Sequence, residues 1–134
     1  PPVKHTGRKM RSLQGFGKLT VDLKQHALTT LVMGIRTLAL SAGITESHSL
    51  ERIRELEKRG ELSTKLSQAL QSAYDFIMLL KIRRNFITHE NENLSGNEVS
   101  LKQLNPLEQR FLEESLKVIL RLQDEVYARF GGIP

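Results

Sequence analysis

An all-α bundle of three long helices and one short helix, behind an irregular N-terminal leader, is the fold class this sequence predicts. Three observations carry it. Apolar residues recur at three- and four-residue steps over three long stretches, a spacing that gathers them on one helix face. Helix start and stop residues bracket those stretches. No internal segment shows the strict alternation of a half-buried strand.

Residues 1–21 form the leader, ahead of a helical domain over residues 22–134. The leader is rich in glycine (Gly7, Gly15, Gly17), and Phe16, Leu19 and Val21 alternate only loosely, so it reads as a linker or an edge strand. The first helix is expected from the N-cap candidate Asp22 to a stop at Gly43, roughly 30 Å of helix at 1.5 Å per residue. Its apolar face is Leu28, Leu31, Val32, Ile35, Leu38, Ala39 and Ala42. A shorter helix, Leu50 to Arg59, follows the cap candidates Ser47 and Ser49 and ends at Gly60. With only Ile53 and Leu56 as its stripe, it is expected to lie across the bundle. The third helix starts after Ser63, turns Leu66, Ala69, Leu70, Ala73, Phe76, Ile77 and Leu80 inward, and stops between Arg84 and Glu90. Asn91 to Asn105 reads as a polar loop. The last helix has the clearest start: Asn105 as N-cap, Pro106 at the first position and Glu108 at the third. Its face of Leu112, Leu116, Ile119, Leu122, Val126 and Phe130 runs to a stop at Gly131–Gly132.

Length and composition agree with one such domain, since 134 residues with 39% apolar and 26% charged side chains can bury a single core. The chain contains no cysteine, which removes disulfides, thiolate metal sites and thiol catalysis and favours a reducing, cytoplasmic setting. Its net charge of +5 is uneven. Residues 1–24 carry six bases (Lys4, Arg8, Lys9, Arg11, Lys18, Lys24) against Asp22, and the rest balances 14 bases with 14 acids. A neutral body behind a basic leader weakens a nucleic-acid reading. The longest apolar run, Phe76 to Leu80, is far short of a membrane span. With Pro1 first and a basic leader, the chain reads as a piece of a larger protein.

Catalytic and metal motifs largely fail. Gly17-Lys18-Leu19-Thr20 suggests a phosphate-binding loop, but Ser12 stands where the upstream glycine is needed and Leu19 where a hydroxyl must follow the lysine. His89-Glu90-Asn91-Glu92-Asn93 lacks the second histidine of a zinc helix, and His5, His26, His48 and His89 are scattered, so no metal site is expected. Five Phe and two Tyr are too few for a base-stacking platform. Arg84-Asn85-Phe86-Ile87-Thr88-His89 resembles the arginine–asparagine–three residues–histidine signature of HEPN ribonucleases, which are also small helical bundles. That resemblance would make Arg84 and His89 the charge-stabilising and proton-transferring pair of a metal-independent RNA cleavage. In an unbroken helix, residues five apart point about 140° away from each other, so the pair would need a bend or a second subunit. The other reading is a basic helix end, with Lys81, Arg83 and Arg84 favoured by the helix dipole.

A longer resemblance covers residues 15–131. It runs from Asp22-Leu23-Lys24 through Arg36-Thr37-Leu38-Ala39-Leu40, Gly43-Ile44 and Ser49-Leu50-Glu51-Arg52-Ile53 to Ala73-Tyr74-Asp75-Phe76 and Leu80-Lys81-Ile82-Arg83. Leu104-Asn105-Pro106-Leu107-Glu108-Gln109-Arg110, Leu122-Gln123 and Arg129-Phe130 complete it. This ordered series resembles the putative nucleotidyltransferase substrate-binding domain, a helical module found C-terminal to a PII-uridylyltransferase-like catalytic domain, often in bacterial signalling proteins with CBS domains. Asn85 and Ser49-Leu50 depart from the family's usual Gln and Thr.

The resemblance implies a chain that is not catalytic by itself. A preceding nucleotidyltransferase domain would act in cis and hold Mg²⁺ and a nucleoside triphosphate; no Asp-x-Asp pair occurs here to do so. The substrate would be a nucleotide or a PII-like protein. Arg36, Arg52, Arg83 and Arg84 are the candidate substrate-binding residues, since guanidinium pairs bidentately with phosphate and carboxylate. Arg36 could instead form an ion pair inside the bundle, its stem part-buried, with Asp75 or Glu55. Tyr74 and Asp75 read mainly as packing residues, and Arg110 and Gln123 as surface or bundle-locking ones. A homodimer is a further expectation, because bundles with wide apolar stripes often self-associate.

Overall fold

The computed structural model describes residues 20–22, 27–90, 98–100 and 104–130, with side chains over 27–83 and 104–130. In chain order it contains β1 (Thr20–Asp22), α1 (Thr29–Ser41), α2 (Ser49–Lys58), α3 (Thr64–Glu90), β2 (Glu98–Ser100) and α4 (Pro106–Arg129). The three long helices and the short one of the expected all-α bundle are present.

Three local expectations are corrected. Asp22 does not cap α1; it ends β1, which pairs antiparallel with β2 in the register Thr20–Ser100, Val21–Val99 and Asp22–Glu98. The polar connection after α3 therefore contains a short strand at Glu98–Ser100. Three-residue strands are too brief for side-chain alternation to register in the sequence. The chain instead enters α1 through a π-helical turn at Ala27 and Leu28, with no side-chain cap. At α2 the cap is His48, not Ser47 or Ser49: its Nδ1 accepts from the Leu50 amide at 3.3 Å, while Ser49 lies inside the helix and is buried.

The other signals act as read. Gly43 and Gly60 adopt positive φ (72° and 74°) just past their helices. Each closes a paired turn: Ile44 N–H donates to the Ala39 carbonyl and Gly43 to that of Leu40, and Glu61 and Gly60 repeat this with Leu56 and Glu57. Ser63 caps α3 through the Leu66 amide at 3.1 Å. Asn105 and Glu108 form a reciprocal capping box, with Pro106 at the first position of α4. The Gly131–Gly132 stop lies outside the described residues.

The core is one cluster. Leu31, Ile35, Leu38 and Ala39 of α1 meet Ile53 and Leu56 of α2, Leu66, Leu70, Ile77 and Leu80 of α3, and Leu112, Leu116, Ile119 and Leu122 of α4. Helices α3 and α4 pack antiparallel: Phe76 lies beside Phe111 with ring centroids 5.7 Å apart, and Arg83 reaches Glu108. At the opposite end Arg129 bonds the Glu61 carboxylate at 2.8 Å and the Glu61 carbonyl, tying the last turn of α4 to the α2–α3 connection. Helix α1 packs on the C-terminal half of α4, and Gly34 permits this approach. A Cβ there would lie 2.8 Å from Cδ2 and 3.0 Å from Cγ of Leu122.

Candidate functional site

The three candidate arginines whose side chains are described, Arg36, Arg52 and Arg83, do not converge on one cleft. Arg36 is exposed on α1 and makes no ion pair among the described residues; it joins neither Asp75, itself exposed, nor Glu55, which pairs with Arg59 at 3.3 Å. The part-buried, ion-paired Arg36 is thus corrected. The apolar stripe of α1 is narrow enough to leave the neighbouring position 36 in solvent. Arg52, in the first turns of α2, is half-buried, and its Nε donates to the Glu46 carbonyl at 2.7 Å. Arg83 donates through Nη1 to Glu108 Oε2 at 2.5 Å. Along α4, the level of Gly34 at Leu122 and that of Arg83 at Glu108 are separated by about fourteen residues, roughly 20 Å of helix. The side chains of Arg84 and His89 lie outside the described residues. The helix that carries both positions continues unbroken to Glu90.

The Arg83–Glu108 pair sits where the capping box also draws on Glu108, whose Oε1 accepts from the Asn105 amide at 3.0 Å. The hydrogen bond from Arg83, then that from Asn105, holds the Glu108 carboxyl below its ordinary value of 4.5. A carboxylate whose folded pKa is depressed stabilises the fold fully above its unfolded pKa, and that contribution disappears as pH falls through the folded value. Glu108→Gln is therefore expected to lower the urea midpoint at pH 7 and to converge on the wild type as pH drops below the ordinary carboxylate range. A constant difference from pH 7 to pH 3 would contradict this. Lys117, which is exposed, is raised from its ordinary value by its hydrogen bond to Glu114.

What the helices bring together is a groove of about 650 Å³ between α1 and the end of α4. One wall is Thr29, Thr30, Met33 and Thr37; the other is Gln123, Val126, Tyr127 and Phe130, with Gly34 between them. The groove follows from the local sequence. Gly34 lets the helix backbones close, while threonines at 30 and 37, one heptad apart, leave short side chains along its edge. The Thr37 hydroxyl is engaged with the Met33 carbonyl at 2.8 Å, whereas Tyr127 and Met33 are about half exposed (55% and 50%). Among the described residues its lining is uncharged: neutral hydrogen-bonding groups beside an aromatic ring and a thioether. The sequence marks Gln123 as a surface or locking residue and Val126 and Phe130 as part of the α4 apolar face, but none of the lining residues as a site. Gly34 inside a helical pattern is the signal available, because a mid-helix glycine costs about 1 kcal/mol unless a close approach requires it.

Tyr74 is half-buried and packs edge-on against His48 with centroids 6.3 Å apart, in line with a packing role; Arg110 is exposed. Among the described residues no group of three His, Asp or Glu side chains could hold a metal ion. No helix among them is long and apolar enough to cross a membrane.

Comparison with known proteins adds one finding. A search of curated proteins found no match, and neither did a search of solved structures. A family model described as putative nucleotidyltransferase substrate binding domain matches residues 1–130, nearly the whole chain and all of the described helices. The ordered motifs, the helical bundle and this match agree, and the chain belongs to the family of putative nucleotidyltransferase substrate binding domains.

Proposed function

We propose that this chain is the non-catalytic substrate-binding and positioning module of a PII-uridylyltransferase-like nucleotidyltransferase, and that the α1–α4 groove holds the acceptor. The family assignment over residues 1–130 is the observation that carries the reading. The aspartates support it: Asp22, Asp75 and Asp124 form no Asp-x-Asp pair of the kind that holds the two metals of nucleotidyl transfer. Mg²⁺ and the nucleoside triphosphate accordingly belong to a catalytic domain acting in cis, in a cytoplasmic signalling protein.

Within the groove, the Gln123 amide and the hydroxyls of Thr29 and Thr30 address a polar edge of the acceptor, and Tyr127 covers its face. The acceptor is a nucleotide or a segment of a PII-like protein. Arg36, exposed beside Thr37 in the chain, supplies the cation for its phosphate or carboxylate. Arg52 and Arg83 are already engaged with Glu46 and Glu108 and contribute less than Arg36.

Titrating the chain with UTP, ATP and a PII-like protein, followed by amide NMR shifts, tests the reading. Tyr127→Ala and Arg36→Ala are each expected to weaken the responding ligand roughly tenfold with helical content unchanged. Unaltered affinity in both variants would remove the groove from the site. Nucleotide transfer from UTP or ATP by the isolated chain with Mg²⁺ would overturn its non-catalytic role.

A further inference from the structure

Among the described residues, the face formed by α3 and the first half of α4 exposes several large apolar side chains beside Asp75 and Glu114. Leu79 and Ile82 on α3, and Leu107 and Phe111 on α4, are each half exposed or more, at 56%, 62%, 60% and 50%. They are neighbours: Leu79, Phe76 and Phe111 line one groove of about 590 Å³, Leu107 is one turn before Phe111, and Ile82 is one turn after Leu79. Monomeric proteins rarely leave large apolar side chains in so continuous a patch.

The order of residues along α3 says what would cover it. About Leu79, the outward face reads symmetrically in chemical terms. Phe76 and Ile82 stand three residues to either side, and Asp75 and Arg83 four residues to either side. Asp75 is exposed and has no ion-pair partner among the described residues. Arg83 uses Nη1 on Glu108 but is 40% exposed, and a guanidinium has five N–H donors. If a second α3 lies antiparallel with Leu79 at the crossing, Leu79 meets Leu79, each Phe76 meets an Ile82, and each Asp75 meets an Arg83. A parallel arrangement would set Asp75 against Asp75. Self-complementarity of this kind is what a two-fold interface requires, where the same patch serves both partners.

We infer that this chain forms an isologous homodimer through the α3–α4 face, with Leu79 at the two-fold axis. The interface is separate from the α1–α4 groove, so it stands whether or not that groove holds an acceptor.

The absence of cysteine gives a direct test on the full 134-residue chain. A thiol introduced on a two-fold axis meets its own copy, so Leu79→Cys is expected to yield covalent dimer under mild oxidation within minutes. Met33→Cys, similarly exposed but on the α1–α4 groove, is expected to remain largely monomeric over the same time. Sedimentation should show a wild-type dimer that Leu79→Glu converts to monomer and that Asp75→Arg weakens roughly tenfold or more. Both variants sit at exposed positions, so helical circular dichroism should match the wild type and separate lost association from lost fold. A wild type that stays monomeric at hundreds of micromolar would overturn the inference. So would equal cross-linking at positions 79 and 33, or a Leu79→Glu variant that remains dimeric.

Discussion

Truncating Leu122 to alanine is expected to remove about 3–5 kcal/mol of unfolding free energy, the upper range for a buried Leu→Ala change. Leu122 is fully buried in the central cluster, and its isobutyl group fills the space between α4 and the backbone of α1 at Gly34. Two rigid helices border that space. Ile35, Leu116 and Ile119 are themselves buried on those helices, and an inward shift of either helix would pull them off their own packing. The site therefore collapses poorly. Urea unfolding followed by circular dichroism should show the loss as a lower midpoint at unchanged slope. In heat, each kcal/mol corresponds to roughly 3–5 °C for a domain of this size, so the melting temperature should fall by about 10 °C or more. A loss under about 1 kcal/mol, well below the range for a buried leucine, would mean that Leu122 does not fill the α1–α4 contact.

The second large effect is a coupling across that contact. Gly34→Ala is expected to destabilise the wild type by about 1–3 kcal/mol, because the new methyl would overlap the Leu122 side chain. The overlap outweighs the gain of about 1 kcal/mol that alanine brings to a helix interior. With Leu122 already truncated, the added methyl enters the vacated space, and the same substitution should then stabilise by about 0.5–1 kcal/mol. A double-mutant cycle should therefore return a coupling of roughly 1.5–4 kcal/mol, at or above the upper end for residues in direct contact. Additive effects would show that the helices adjust their separation instead of holding it.

The helices were legible in the sequence because each states its face and its ends separately. In α4, Asn105, Pro106 and Glu108 fix the start, and Leu112, Leu116, Ile119 and Leu122 fix the buried face. At α1 the two kinds of information part. The apolar periodicity is correct, but Asp22, a good cap by residue type, is taken up by strand pairing with Glu98, far away in the sequence. Local preference cannot anticipate a partner at that distance. His48 escaped notice for the opposite reason: serines on both sides are better caps by type, and backbone geometry alone decides which residue is positioned to accept.

The site was less legible than the fold. Arginines are easily picked from a sequence because their chemistry is strong, yet Arg83 is engaged by Glu108 and Arg52 by a backbone carbonyl. The α1–α4 groove is made of weak signals, a glycine and several threonines, that acquire meaning only when Gln123 and Tyr127 arrive from the other end of the chain.

The β1–β2 pair also has a mechanical meaning. Because Thr20–Asp22 pairs with Glu98–Ser100, β1 is held to the α3–α4 connection as well as joined through the chain to α1. The strand β2 packs on α3, the longest helix. The strand pair closes α1, α2 and α3 into one loop of chain, so the three helices cannot separate at their ends without breaking it.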